Sequence, residues 1–154
     1  MNLEQRLIDL SITLPAAAAP GANYAAGVMH RDVVWISGQL PRDGDRVLVS
    51  GKLGKEVSIA EAQGAARAAL LRALAALRDT AGDLRRVRQI VKLTMYVNCS
   101  EDFSEHSAVA DGASDLIYEL FGPELGRHAR TSVGVAQLPR NACLELDIVA
   151  TLEE

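Results

Sequence analysis

A chain of 154 residues is long enough for one ordinary domain and leaves little room for a second. Hydrophobic residues make up 49% of the chain but aromatic residues only 4%, so we expect a core built from alanine, valine, leucine and isoleucine. Lysine and arginine total 16 against 20 acidic residues, and a net charge of -4 without any run of basic residues argues against a nucleic-acid partner.

The sequence predicts neither a membrane segment nor a secreted protein. No apolar stretch approaches the length that spans a bilayer, and residues 1–10 carry charges in place of the apolar centre of a signal peptide. Cys99 and Cys143 are too few for a disulfide framework and lie in apolar segments. Each is therefore expected to be a buried free thiol without a nearby base, in a cytoplasmic protein.

The first half of the chain predicts a short helix, a connector and three strands. A turn of helix is expected over residues 3–10, and the prolines and glycine of residues 15–21 are typical of an irregular connector. The expected strands cover residues 24–29, 33–37 and 46–49. Residues 30–32 predict a hairpin turn between the first two. We therefore expect residues 1–22 to form the N-terminal turn and connector of a single domain that spans residues 1–154.

Two long helices have clear boundaries in the sequence. Ser58-Ile59-Ala60-Glu61 is a capping box, in which the serine hydroxyl accepts from a free backbone N–H and the glutamate reaches back, and Gly82 ends this helix. The second helix is expected to begin near residues 101–103 and to end at Gly122-Pro123. Between the helices, residues 90–97 alternate between apolar and polar side chains, which predicts a strand with one apolar face.

The C-terminal segment predicts two further strands, residues 131–137 and 142–152, joined by a loop of four residues. If these strands form an antiparallel hairpin, Val135 lies opposite Leu144 and apolar residues meet apolar residues on one face. The side chains expected together on the other face are those of Arg130, Ser132, Gly134, Glu145 and Asp147.

This order of elements predicts an α+β fold, with two helices packed on one face of a single mixed six-stranded sheet. The other face of the sheet is expected to carry Lys92, Glu145 and Asp147. Charged side chains in that position require a face that is hydrated, forms a binding site or meets another subunit. The residue pattern leaves these three alternatives open.

Two segments in the first two thirds of the chain are similar to motifs of the RidA/YjgF family, also called the L-PSP or endoribonuclease-like family. Residues 35–41 end in Ser37-Gly38-Gln39-Leu40-Pro41, which resembles the Ser-Gly-Gln-x-Pro motif of that family. The capped helix is followed by Asp83-Leu84, the strand at residues 90–97 and Asp102-Phe103, in the same order as in the family.

A third segment resembles the most specific part of the family pattern. Ala129-Arg130-Thr131-Ser132-Val133, with Leu138-Pro139 and Leu144-Glu145-Leu146, is similar to the motifs Ala-Arg-Ser-x-Val, Leu-Pro and Ile-Glu. The resemblance runs from about Asn23 to the C-terminus. Each motif alone is weak, but three of them in the same order and at matching separations are specific.

The resemblance implies a chorismate-mutase-like fold and a homotrimer, with polar sheet faces turned toward a central barrel and active sites in the clefts between subunits. It also implies an activity, the hydrolysis of small reactive 2-imino or 2-enamino acids to 2-keto acids and ammonia. Such acids are released by pyridoxal-phosphate enzymes. The ligand would be a small carboxylate, and neither a metal nor a cofactor is implied.

The resemblance assigns roles to five residues. Arg130 would hold the substrate carboxylate through a bidentate guanidinium, and Glu145 would position and deprotonate the attacking water. Backbone groups of Gly38 and Ser132 would orient the substrate, and the ring of Tyr24 would close one wall. A protonated imine is already electrophilic, so positioning and mild base catalysis suffice.

Each role has an alternative in the residue pattern. Arg130 could instead bridge two subunits, and the hairpin register places Asp147 nearer to Arg130 than Glu145, so Asp147 is a second candidate for the base. Ser132 has no histidine at a spacing that would suggest a serine nucleophile. The histidines, which share no metal-ligand spacing and are expected on the surface or in loops, are His30, His106 and His128.

Residues 110–128 are longer than the corresponding part of the best-known family members, which indicates a divergent branch and leaves the substrate open. The alternative to a deaminase is a trimer that binds small carboxylates without turnover. An endoribonuclease is disfavoured because the chain is acidic and has no visible pair of acid and base histidines. Chorismate mutase activity would be an analogy of fold alone, since its dianionic substrate needs more cationic residues than the expected cleft offers.

Overall fold

The computed structural model describes residues 2–153, and every structural statement below concerns that part of the chain. It contains three α-helices, α1 (Leu3–Asp9), α2 (Ile59–Ala81) and α3 (His106–Leu125). Its strands are β1 (Gly27–His30), β2 (Val33–Gln39), β3 (Arg42–Asp43), β4 (Arg46–Val47), β5 (Val87–Asn98), β6 (Ala129–Val135) and β7 (Leu144–Leu152). Short 3₁₀ turns cover Leu84–Arg86 and Pro139–Asn141. The α+β class expected from the sequence is confirmed.

Helix α2 begins and ends where the sequence predicts. The Ser58 hydroxyl accepts from the N–H of Glu61 at 3.1 Å, and the Glu61 carboxylate accepts from the N–H of Ser58 at 2.8 Å. Gly82 follows in the left-handed region, with φ 79°. Helix α3 begins later than expected, at His106, and its helical run is interrupted at Gly122, where φ is 75°. None of the helices within residues 2–153 combines the length and apolarity that crossing a membrane requires.

Five strands form one mixed sheet in the order β1-β2-β7-β5-β6. Neighbouring strands are antiparallel except β5 and β6, which run parallel. The β1–β2 hairpin turns where expected, with Arg31 at φ 56°. The sheet has one strand fewer than expected, because Arg46–Val47 pairs with Arg42–Asp43 in a separate two-stranded ribbon.

The C-terminal hairpin expected from the alternation is wrong. Strand β6 pairs in parallel with one edge of β5, so that Arg130 lies opposite Leu93. Strand β7 pairs with the other edge of β5, and Glu145 lies opposite Tyr96. Strand β5 therefore separates the two strands that were expected to be partners. The connection from β6 to β7 crosses the end of β5 and contains the turn at Pro139–Asn141. The last two residues of this turn lie in the left-handed region.

The core lies between one face of the sheet and the two long helices. Strand β5 contributes side chains to this layer that are fully buried, namely Leu93, Met95 and Val97. The fully buried residues that α2 and α3 pack against them include Leu70, Leu74, Leu77, Leu116 and Ile117. Helix α1 packs on α3 at the edge of this layer. The expected packing of two long helices on one face of the sheet is confirmed, and the opposite face carries no helix.

Candidate functional site

The two residues expected to perform the chemistry lie on opposite faces of the sheet in one chain. Arg130 is opposite Leu93, which is fully buried beneath the helices, so Arg130 points toward the helical face. Glu145 is opposite Tyr96, three residues from Leu93, so it points to the uncovered face. The expectation that Arg130, Ser132, Gly134, Glu145 and Asp147 share one face is therefore wrong. It followed from the incorrect hairpin register.

Three of the candidate residues meet at a cavity of about 810 Å³. Tyr24, Gly38 and Glu145 all line it. The connector at residues 15–22 forms another part of the wall. Residues of the β3–β4 ribbon and of the turn at Pro139–Asn141 complete it. The cavity can hold a small organic acid with room to spare.

Gly38 allows the Glu145 side chain to lie directly against strand β2. A Cβ atom added at Gly38 would collide with Oε1 and Cδ of Glu145. The close approach of these two residues is thus possible only because position 38 has no side chain. The backbone of Gly38 and the Glu145 carboxylate together form one corner of the cavity.

The environment of Glu145 suits a general base. Burial of the side chain raises its pKa, and the negative charge of Asp147 raises the pKa further. Asp147 itself accepts a hydrogen bond from the Tyr96 hydroxyl at 3.0 Å, whereas the Glu145 carboxylate accepts none from any residue in the range 2–153. Glu145 is therefore the carboxylate with oxygens available to a water or a ligand, and Asp147 is the second candidate.

Arg130 is held by helix α3. Its Nη1 donates to Asp111 Oδ1 at 2.7 Å and to Ser114 Oγ at 3.1 Å, and its Nη2 lies 3.4 Å from the Ser107 carbonyl. The Nε–H donates to no group within residues 2–153 and stays available to a ligand. The guanidinium is thus fixed on one side and open on the other, as binding of a carboxylate requires.

A histidine lies behind this arginine. The Nδ1 of His128 is 2.7 Å from the Gly126 carbonyl, which can only accept, so Nδ1 carries a proton. In the neutral ring the Nε2 then accepts from the Ser114 hydroxyl, at 2.9 Å. Ser114 in turn accepts from Arg130, which completes a chain of hydrogen bonds from the Gly126 carbonyl to the guanidinium. His128 lies in the loop between α3 and β6, one of the two positions expected for it, and is half-buried.

Ser132 lies on the same face as Arg130, opposite the buried Met95 of β5. Its hydroxyl oxygen is buried and has no hydrogen-bond partner within residues 2–153. No histidine within residues 2–153 therefore accepts a hydrogen bond from this hydroxyl, as activation of a serine nucleophile would require. The structure therefore places Ser132 near Arg130 but not at the cavity of Glu145.

A base does lie close to Cys99, which corrects the expectation of an isolated thiol. The Cys99 sulfur is 3.5 Å from Nε2 of His106, and the thiol is half-buried. Cys143 is fully buried, as expected, and burial raises the pKa of its thiol to about 12. Within residues 2–153, no group of three or more histidine, cysteine or acidic side chains is placed to hold a metal ion.

The cavity is more cationic than the sequence predicted. Arg42, Arg72 and Arg140 all line it. A signal for Arg72 was present in the sequence, because this arginine interrupts the run of buried alanines and leucines on helix α2. Arg42 follows the Ser-Gly-Gln-Leu-Pro motif directly, and nothing in its surroundings in the sequence marked it.

Comparison with known proteins gives the class of this fold and site. The family pattern described as "YjgF/chorismate mutase-like, putative endoribonuclease" matches residues 4–152. The Trypanosoma cruzi protein named Protein TCP17 is 48% identical over 143 residues, which cover 93% of this chain and 89% of that protein. The chain belongs to the YjgF (RidA) family, as its three sequence motifs predicted.

Solved structures of similar proteins share the fold. Atu1372 of Agrobacterium tumefaciens, a protein of unknown function, is 38% identical with a TM-score of 0.87, over 98% of this chain and 92% of that chain. A Shewanella oneidensis protein named as a putative endoribonuclease is 34% identical with a TM-score of 0.91, over 99% and 100% of the two chains. TdcF of E. coli, solved with bound serine, is 25% identical with a TM-score of 0.61, over 90% and 92%.

Proposed function

We propose that this protein hydrolyses small 2-imino and 2-enamino acids to 2-keto acids and ammonia in the cytoplasm. The observation that carries the proposal is the Glu145 carboxylate, which is half-buried at the cavity, carries a raised pKa and is free of hydrogen bonds from residues 2–153. The serine bound in the E. coli TdcF structure is a small amino acid held by a relative of the same fold. Its size and charge resemble those of the substrates proposed here.

The proposed site takes Glu145 from one subunit and Arg130 from the next, in a homotrimer. Arg130 lies on β6, an edge strand of the sheet, and it points away from the cavity of its own chain. A neighbouring subunit can bring its Arg130 to that cavity, whereas the same chain cannot. The uncovered face also carries exposed apolar side chains, which favour an interface there. More than two fifths of the surface is exposed in Val28, Trp35 and Val133.

In the proposed reaction Arg130 binds the substrate carboxylate, which fixes the position of the adjacent C=N carbon. Glu145 removes a proton from water as the water oxygen forms a bond to that carbon. The proton is then passed to the nitrogen, the C–N bond breaks, and the hydroxyl becomes the keto oxygen as its proton leaves with ammonia as ammonium. An enamine first takes up a proton at carbon to give the same imine. No metal or cofactor is needed, because the protonated imine is already an electrophile.

The direct test adds the purified protein to a pyridoxal-phosphate dehydratase that produces 2-iminobutanoate, and follows release of 2-oxobutanoate. Faster release is expected with the unaltered protein. Arg130→Ala should lower kcat/KM by about a hundredfold, because a charge-assisted bidentate contact to the substrate is lost. Arg67→Ala is the matched control, since Arg67 is an exposed arginine paired only with Glu119. Full activity of Arg130→Ala, or no acceleration at all, would contradict the proposal.

A protein that binds small carboxylates without turnover is the second candidate. The observation in its favour is that Arg130 and Glu145 lie on opposite faces of the sheet in one chain, so that Arg130 can bind a carboxylate with no base from its own chain beside it. This candidate predicts thermal stabilisation by 2-oxobutanoate in the absence of any release of keto acid from the imine. Endoribonuclease activity, which the names of some relatives suggest, is tested by incubating the purified protein with RNA. No cleavage that depends on Arg130 is expected.

A further inference from the structure

Two arginines in the cavity lack partners that their charge requires. Arg72, on helix α2, is only 7% exposed, and its Nε is buried without a hydrogen-bond partner in residues 2–153. Arg42, on the β3–β4 ribbon, likewise has a buried Nε without a partner. Both residues line the cavity that also contains Glu145 and Gly38.

The guanidinium of Arg72 lies against the backbone of Arg42. The hydrogen bond that Arg72 makes runs from Nη1 to the backbone carbonyl of Arg42 and is long, at 3.4 Å. Burial lowers the pKa of Arg72, the positive charge of Arg42 lowers it further, and Asp43 raises it. Both side chains remain cations, because an arginine is not deprotonated in proteins. One exposed carboxylate thus faces two buried or half-buried positive charges.

Buried guanidinium donors without acceptors cost free energy, and an anion that enters the cavity would supply the missing acceptors. Arg140 is less suited to this role. Its Nη1 already donates to the Asp45 carbonyl at 2.7 Å. The adjacent pair Arg42 and Arg72 is therefore the part of the wall that still lacks an anionic partner.

We propose that Arg42 and Arg72 bind a second anionic group, a carboxylate or a phosphate, on the ligand that occupies the cavity. The inference builds on the proposed function. It assigns the carboxylate next to the imine to Arg130 and the distal acidic group to the Arg42–Arg72 pair. The preferred substrates are accordingly imino acids that carry a second acid group, rather than those with a short alkyl chain.

Binding and turnover test this assignment separately. Thermal stabilisation is measured at constant ionic strength with 2-oxobutanoate, 2-oxoglutarate, succinate and inorganic phosphate. The doubly charged organic acids should stabilise the protein more than 2-oxobutanoate. Turnover is compared for 2-iminoglutarate and 2-iminobutanoate, each generated by an amino-acid oxidase, and kcat/KM should be higher for 2-iminoglutarate.

The variants are Arg72→Met, which keeps an apolar stem for packing, and Arg42→Ala on the ribbon. Each should lower kcat/KM for 2-iminoglutarate by about ten- to hundredfold, the loss expected for hydrogen bonds to a charged group, and should lower kcat/KM for 2-iminobutanoate much less. Arg67→Ala, on the same helix, should change neither substrate. If Arg72→Met fails to fold, Arg42→Ala still decides the outcome.

The results separate this inference from the proposed function. Turnover of both imines that depends on Arg130, with no preference for the dicarboxylate and no effect of Arg42→Ala, would overturn the second anion site and leave the deaminase standing. Stabilisation by succinate that both variants abolish, without turnover of either imine, would support the anion site and overturn the deaminase. Stabilisation by phosphate that exceeds that by succinate, and is lost in both variants, would identify the distal group as a phosphate.

Discussion

At the scale of single residues, the chemistry proposed for the cavity depends on which carboxylate is free to take a proton. Glu145 and Asp147 lie two residues apart on β7 and therefore point to the same face of the sheet. Tyr96 donates to Asp147 and occupies one of its oxygens, whereas the Glu145 oxygens remain open to the cavity. The raised pKa of Glu145 also makes it a stronger base than an ordinary carboxylate once it is ionised.

The pH dependence of the reaction follows from this arrangement. Only ionised Glu145 can accept a proton from water, so kcat/KM should fall as the pH is lowered through the raised pKa of Glu145. Asp147→Asn removes the negative charge that contributes to this shift, lowers the pKa of Glu145 and moves the acidic limb of the profile to lower pH. The profile of kcat/KM against pH measures the displacement. A limb that moves to higher pH, or does not move, would argue against Glu145 as the base.

The two thiols should differ in reactivity for a reason that is purely structural. The Cys143 thiol is fully buried, and its pKa of about 12 leaves very little thiolate near neutral pH. In the folded protein, iodoacetamide at pH 8 should therefore label Cys99 and spare Cys143. Mass spectrometry of the digested protein locates the label, and labelling in urea serves as the control in which both thiols react. Labelling of Cys143 under native conditions would show that the segment directly before β7 is not packed as described.

At the scale of elements, a single asparagine holds together the part of the sheet where the chain changes direction. Asn98, at the end of β5, is fully buried, and its amide donates to Gln137 Oε1 at 2.9 Å and to the Ala142 carbonyl at 3.1 Å. Lys52 donates to the Asn98 side-chain oxygen at 2.6 Å. These bonds tie the connection between β6 and β7 to the strand that it must pass.

Asn98→Ala should lower the free energy of unfolding by about 1–3 kcal/mol, because buried polar groups around position 98 lose their partners. Asn23→Ala, at an exposed residue directly after the connector, is the control and should change stability by less than about 0.5 kcal/mol. Chemical denaturation of both variants measures the difference. Equal stability of the two variants would mean that the connection does not depend on Asn98.

The same connection explains where prediction from the sequence failed. Alternation correctly identified β5, β6 and β7 and the face of β5 that is buried, because a period of two fixes which side chains share a face. It did not identify the neighbours of each strand. Any two strands that each have an apolar face can pair with those faces on the buried side of the sheet. The loop of four residues between β6 and β7 suggested a hairpin. The hydrogen bonds of the buried Asn98 amide hold this loop across β5, and a single asparagine produces no periodic pattern in the sequence that would predict such a crossing.

At the scale of the whole molecule, the candidate site is divided between distant parts of one chain. The family resemblance assigned Tyr24, Gly38 and Glu145 to the site, and the structure brings these three to one cavity. The motifs also located Arg130, which helix α3 holds on the other face of the sheet. A sequence motif reports which residues belong to a site and not which subunit supplies each of them. Arg42 and Arg72 belonged to no motif, and the packing of α2 against the ribbon brings them together at the cavity.

The central claim, that Arg130 of one subunit acts on a substrate beside Glu145 of another, is tested most directly by mixing two inactive variants. Arg130→Ala and Glu145→Gln chains are expressed together with different tags, and oligomers that contain both are purified and assayed with 2-iminobutanoate. If the site forms between subunits, a mixed trimer regains about a third of the normal activity, since one of its three interfaces joins an intact Arg130 to an intact Glu145. If both residues act within one chain, no site is intact and the mixed oligomers stay as inactive as the separate variants, which would contradict the account.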